Sequence, residues 1–162
     1  AAATVPDTRG VVVRPALQGL GAPHGRFRER ALISGLDAGA GRAHVARAAL
    51  QGIAFRMMEI ARTVAATPGL TVPPHLPVDG GASASDLLLR LQADALGLPV
   101  RRHLVKEATA YGAAIAAGLG AGLIAETDLP RFARYDAEFA PGKGRVEVEA
   151  GYQAWAAVAL GR

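Results

Sequence analysis

The 162 residues suit one domain or one large subdomain, and a hydrophobic content of 51% provides a core and excludes wholesale disorder. Aromatics make up only 5% while Gly numbers 20, so packing must rely on small side chains and close approach of elements. The absence of cysteine excludes disulfides, thiolate metal sites and a cysteine nucleophile and fits a reducing cytoplasm, and the charge of +4 comes from arginines interleaved with acids ("RFRER", "RMMEIAR"), which argues against nucleic-acid binding.

The opening stretch, "AAATVPDTRG", has neither the basic nor the apolar region of a signal peptide, and residues 1–10 read as a flexible start. It begins on Ala rather than Met, as an excised piece of a longer protein would. Residues 11–13 predict a short strand broken by Pro15, followed by the Gly-rich loop "QGLGAPHG" and a second apolar run over 31–36. After a turn at "DAGAG", a long helix is expected from Arg42 to about Thr67. Val45, Ala49, Ile53, Met57, Ile60 and Val64 recur there at helical spacing, while Arg47, Arg56, Glu59 and Arg62 fall elsewhere. Pro68 and Gly69 stop it. A short apolar run over 75–78 then gives way to Gly80 and Gly81 and a helix over 87–96, with another short strand at 99–103. A helix from about Ala108 places Ala113, Ala117 and Ala121 one above another; the uncharged run 108–125 is too weakly hydrophobic to span a membrane and reads as a buried helix. A polar segment, a turn at "APGKG", a strand-like bit and a terminal helix in "VEVEAGYQAWAAVAL" complete the chain. Strands alternating with helices indicate an α/β architecture.

Catalytic constellations are sparse. His24, His44, His75 and His103 are scattered, with no partner at metal-ligand spacing, and read as surface or packing residues. No nucleophile elbow, Walker A loop, dinucleotide fingerprint or carboxylate pair is present, so neither a catalytic residue nor a metal ligand is expected in this chain. The remaining lead is "VDGGASASD". A strand that ends in Gly80 and Gly81 and feeds a helix sets bare backbone beside a helix N-terminus, where a planar or anionic ligand can approach and phosphate is favoured. Ser83 or Ser85 would cap that helix. By itself the stretch reads more simply as a strand-to-helix turn that needs positive φ.

Taken in order, "VVVRPALQGLGAP", "ISGLDAGAGRAHVARAALQGIAF", "VDGGASASDLLLRLQADALGLPV", "KEATAYGAAIAAGLGAG" and "FAPGKGRVEVEAGYQAWAAV", the last with Tyr152 and Trp155, resemble the C-terminal half of the FGGY-family carbohydrate kinases. The resemblance covers about residues 5–160, and "GLGAP" is most similar to the family's glycerol kinases. It implies a ribonuclease-H-like, actin-type ATPase fold, incomplete here: residues 1–162 would form the C-terminal nucleotide-binding domain, without the N-terminal substrate domain. Two such domains would face each other across a cleft with ATP between them. The family's adenosine motif falls on Asp79-Gly80-Gly81-Ala82, with Gly81 lying against the nucleotide through its backbone. Ser85 and Asp86 stand where the family has two asparagines. Ser85 therefore inherits a nucleotide contact with a shorter reach, which makes Gly80, Gly81, Ala82 and Ser85 the implied binding residues, and Asp86 adds negative charge at a helix start. His24-Gly25-Arg26 replaces the aromatic residues that commonly follow "GLGAP", and Tyr111 replaces a leucine.

The family's phosphate loops, polyol-gripping residues and catalytic aspartate match nothing in this sequence. The resemblance thus implies that the missing half holds the polyol and, with the phosphates, most of the Mg2+ shell, and that this chain alone is inactive. The complete enzyme would move the γ-phosphoryl group of MgATP to a primary hydroxyl, glycerol's first among them, with xylulose or gluconate kinases as the alternative. Two further readings are a truncated paralogue that binds a nucleotide or a partner without catalysis, and an actin-like ATPase with an unrelated role. A cytoplasmic protein without membrane attachment, self-associating as a homo-oligomer, is compatible with all of these.

Overall fold

Strands and helices alternate along the chain in the computed structural model, which describes residues 1–161. β1 (Val12–Arg14) and β2 (Leu32–Ser34) pair antiparallel, Val13 opposite Ile33. The helix α1 (Arg42–Ala66) follows and ends just ahead of Pro68 and Gly69, which cannot continue it. β3 (Leu76–Val78), α2 (Asp86–Leu96) and β4 (Val100–His103) form a βαβ unit with parallel strands, Val78 lying beside Arg102. Gly97, at φ +68°, supplies the left-handed residue that ends α2. α3 (Ala108–Gly120) and a 3-10 turn at Glu126–Phe132 lead to β5 (Tyr135–Phe139), which pairs antiparallel with β4 and completes the order β3-β4-β5. α4 (Arg145–Ala159) closes the described chain.

β3 forms an edge of this sheet. The Leu76 N–H donates to the Pro99 carbonyl at 2.8 Å, so Leu76 faces β4 and Pro77, one residue on, faces the open side. At the start of the chain Ala2–Thr4 form a 3-10 turn, Arg47 Nη1 donates to the Val5 carbonyl at 3.0 Å, and Arg9 pairs with Asp37 at 3.1 Å.

Four expectations need correction. Residues 145–159 are one helix with no strand in them: Val146 is 85% exposed while Val148 packs on the core, a contrast set by helical and not pleated spacing. Lys143 Nζ to Glu147 Oε1 at 2.7 Å supports that helix start at i,i+4 spacing. The last strand lies earlier, in the segment read as merely polar. Phe139 is buried and Tyr135 and Ala137 half-buried, alternating with exposed Asp136 and Glu138, whose carboxylates pair with Arg102 and Arg101 on β4. Of the expected apolar stripe of α1, Val45 and Ala49 pack on a small core of Val11, Val13 and Ala48, but the later part is not the buried face. Ala48, Gly52, Phe55 and Glu59 face the core, and the predicted stripe, through Met57, Ile60 and Val64, borders an apolar groove of about 150 Å³ with Val72, Leu76 and Leu98. Finally, α3 forms where expected but buries no residue in this chain, resting on the Tyr111 ring, whose centroid lies 5.6 Å from that of His103 and 6.2 Å from that of Phe132.

Three cores hold the layers among the described residues, the smallest being Val11, Val13 and Ala48 where β1 meets α1. Between α2 and the sheet, Leu89, Ala93, Val100 and Phe139 pack together. The largest core joins α1, α4 and the β1 end through Phe55, Met58, Tyr152, Trp155 and Ala156, and the ring centroids of Phe55 and Trp155 are 5.6 Å apart. Its fixed point is the Val13 carbonyl. Trp155 Nε1 donates to that oxygen at 2.9 Å, and a Cβ placed on Gly52 would stand 2.3 Å from it. Beside this core Glu59, 5% exposed, gathers three elements. It accepts from Arg56 and from the Tyr152 hydroxyl at 3.0 Å and lies 3.0 Å from His24 Nε2, while Arg56 also donates to the Ala22 carbonyl. The "GLGAP" loop is thereby pinned to α1 and α4.

Alanine in place of glycine inside a helix normally gains about 1 kcal/mol. At Gly52 the sign inverts: Gly52→Ala destabilises by about 1–3 kcal/mol, because the methyl drives α1 away from β1. Chemical denaturation checks this, and a midpoint equal to or above wild type contradicts it.

Candidate functional site

The turn between β3 and α2 contains two glycines with different physical reasons. Gly80 sits at φ +78° and ψ −179°, a region open essentially to glycine alone. Its identity follows from the path of the chain. Gly81 has no positive φ, is exposed, and a Cβ built on it meets no atom within 4 Å. No atom of the described chain excludes a side chain there, so the bare backbone at Gly81 faces open surface.

Gly81–Ala84 form a single 3-10 turn, whose first amides, those of Gly81 and Ala82, have no acceptor within it. Ser83 is 5% exposed, and both its N–H and its hydroxyl donate to the Gly80 carbonyl, at 3.1 and 2.7 Å. It braces the turn from below and is not a cap. Ser85 takes the capping role: the Leu88 N–H donates to its Oγ at 3.3 Å. Since a hydroxyl that accepts still carries its own proton, Ser85 retains a donor for a second partner. All four sequence-predicted residues therefore fall in one turn, with Gly81 and Ala82 exposed and Gly80 and Ser85 half-buried.

Arg102, which the sequence reading passed over as part of a short strand, reaches this turn from below. Nη1 lies 2.8 Å from Asp86 Oδ1 and 3.4 Å from the Ser83 carbonyl, and Nε lies 2.8 Å from Asp136 Oδ1. These carboxylates, Asp136 foremost and then Asp86, hold the guanidinium pKa above its ordinary value. The signal for Arg102 was the pairing of two parallel strands, which places it beside Val78, two residues ahead of Gly80.

Among the described residues no group of three or more carboxylates or imidazoles converges as a metal site. The histidines serve the fold. His24 meets Glu59, His44 Nδ1 accepts the Gly41 N–H at 3.0 Å, His75 packs edge-on to Tyr135, and His103 accepts from the Val105 N–H at Nδ1. No helix is long and apolar enough to cross a membrane among the described residues.

The sequence profile of the FGGY family of carbohydrate kinases, C-terminal domain, matches residues 1–121. Glycerol kinase from Thermus brockianus is 47% identical over 151 residues, which take in 93% of this chain and 30% of that protein. Its counterpart from Gloeobacter violaceus is 45% identical over 155 residues, 95% of this chain and 31% of that one. The crystal structure of Plasmodium falciparum glycerol kinase with ADP superposes with a TM-score of 0.83 at 29% identity, covering 95% of this chain and 31% of its own. Xylulose kinase from Rhodospirillum rubrum shares the fold with a TM-score of 0.78 at 22% identity, covering 99% and 32%. The chain spans about 30% of the length of the curated relatives it matches, and its neighbours carry the ribonuclease-H-like, actin-type ATPase fold of which it holds part. On this profile match, and with relatives in register along nearly its whole length, the chain belongs to the FGGY carbohydrate kinases and corresponds to their C-terminal domain.

Proposed function

We propose that this chain is the adenosine-binding part of an ATP-dependent polyol kinase, and that the complete enzyme converts glycerol and ATP to glycerol 3-phosphate and ADP. The carrying observation is Gly81, a glycine with an ordinary φ and open space where its side chain would be. A nucleotide laid on that backbone supplies the reason for the missing Cβ. The Gly81 and Ala82 amides and the Ser85 hydroxyl would then offer donors to it. ATP brings the transferable γ-phosphoryl group. The chain's own contribution is to hold the adenosine end still while the acceptor hydroxyl is positioned from across the cleft. The glycerol kinase from Plasmodium falciparum that superposes on this chain was solved with ADP, and the relatives from Thermus brockianus and Gloeobacter violaceus, at 47% and 45% identity, are glycerol kinases, which supports glycerol over a pentulose or gluconate. The polyol, the Mg2+ shell and the proton acceptor for the attacking hydroxyl are assigned to the remaining part of the enzyme, and the protein to the cytoplasm.

A coupled assay of the full-length protein with ATP is expected to show phosphorylation of glycerol; turnover of a pentulose or gluconate without glycerol would overturn the substrate assignment. In an ADP titration, Gly81→Val is expected to weaken binding at least about tenfold by filling the shelf, with little change in melting temperature. Equal affinity would remove Gly81 from the site. Ser85→Asn keeps a good cap, since asparagine and serine cap about equally well. Its longer reach should tighten ADP binding at unchanged stability, and weaker binding would argue against a contact from position 85.

A further inference from the structure

The start of α2 carries Asp86, whose carboxylate is 61% exposed one residue beyond Ser85 and beside the shelf proposed to take a nucleotide. An acid there suits the helix N-terminus but repels a polyanion. Glycine positions in the turn are also poor at holding themselves, because glycine loses the most conformational freedom on ordering. Both difficulties meet at one side chain.

We propose that Arg102 is the positioning residue of this site: it cancels the charge of Asp86 and holds the Gly80–Ala84 turn in its ligand-ready shape. The inference rests on the nucleotide reading above. One guanidinium nitrogen, Nη1, serves Asp86 Oδ1 at 2.8 Å and the Ser83 carbonyl at 3.4 Å. Ser83 in turn passes the restraint to Gly80, whose carbonyl it holds through Oγ at 2.7 Å. Nε is anchored at 2.8 Å to Asp136 on β5, and the guanidinium carbon lies 5.8 Å from the centroid of the Phe139 ring, so the group is fixed from the sheet side. Arg102 is 23% exposed and Asp86 61%, so the guanidinium is partly shielded from the sheet side while the pair opens to solvent at its carboxylate. Parallel pairing of β3 with β4 sets Arg102 level with Val78, which brings the fork under the turn. A lysine at this position has no fork with which to span two carboxylates and a carbonyl.

The test compares ADP affinity of the full-length wild type, Arg102→Gln, Arg102→Gln with Asp86→Asn, and Asp136→Asn. Arg102→Gln is expected to weaken ADP binding about tenfold at low salt, less so at high salt, by leaving Asp86 uncompensated. Adding Asp86→Asn should recover most of the loss, a rescue that a merely structural arginine would not give. Asp136→Asn, which loosens the sheet-side anchor of Arg102 but leaves Asp86 paired, should weaken ADP binding less than Arg102→Gln does, and a loss as large as that of Arg102→Gln counts against charge compensation at Asp86 as the main effect. Wild-type affinity in Arg102→Gln, or a double variant as weak as the single, overturns the proposal while the nucleotide reading stands. A wild type that does not bind ADP overturns both.

Discussion

The Val13 carbonyl sets the spacing of the helical layer. Its oxygen receives the Trp155 indole from α4, and α1 can lie over it only where residue 52 has no side chain. One peptide group thereby fixes how near two helices come to the β1 ribbon, and the aromatic cluster of Phe55, Tyr152 and Trp155 is built to that distance. In a chain with few aromatics, close approach through glycine and alanine does the packing that bulky side chains do elsewhere. The Glu59 cluster depends on the same approach, because Tyr152 meets Glu59 only when α4 lies against α1.

Much of the fold was legible. α1 ends within a residue of where Pro68 and Gly69 demand, and α2 and α3 lie where their periodicity and flanking breakers put them. What failed did so for local reasons. The two valines of "VEVE" alternate like a strand, but Val148 finds the core at helical spacing and Val146 finds solvent. "YDAEF" looked polar because its outward positions carry the acids that pair with β4, while the inward ones are a tyrosine, an alanine and a phenylalanine. The buried face of α1 was misread since it includes a glycine and a glutamate. A hydropathy pattern cannot register that Gly52 is chosen for contact, or that Glu59 meets Arg56 one turn away and His24 and Tyr152 from distant parts of the chain.

The turn that carries the proposed site was legible as a strand-to-helix turn, but not the separate roles of its residues. By pattern alone the two adjacent glycines are equivalent, and only the resemblance singles out Gly81; in the structure Gly80 answers to the backbone and Gly81 to nothing within the described chain. The serines looked interchangeable as caps, yet one lies under the turn and the other at the helix start. These distinctions depend on which way each side chain points after the strand ends. Arg102 was invisible for a different reason: it comes from another strand, and only the parallel register brings it there.

The open side of β3 has one more consequence. Pro77 occupies the position whose peptide group points away from β4, and a proline has no N–H to offer. A strand laid along that side would find an acceptor in the Pro77 carbonyl but no donor in return. Two copies of this chain meeting edge to edge at β3 would set two such donor-less positions against each other. The proline thus makes the edge a poor template for indiscriminate pairing, while leaving its one carbonyl for a neighbour that brings its own amide.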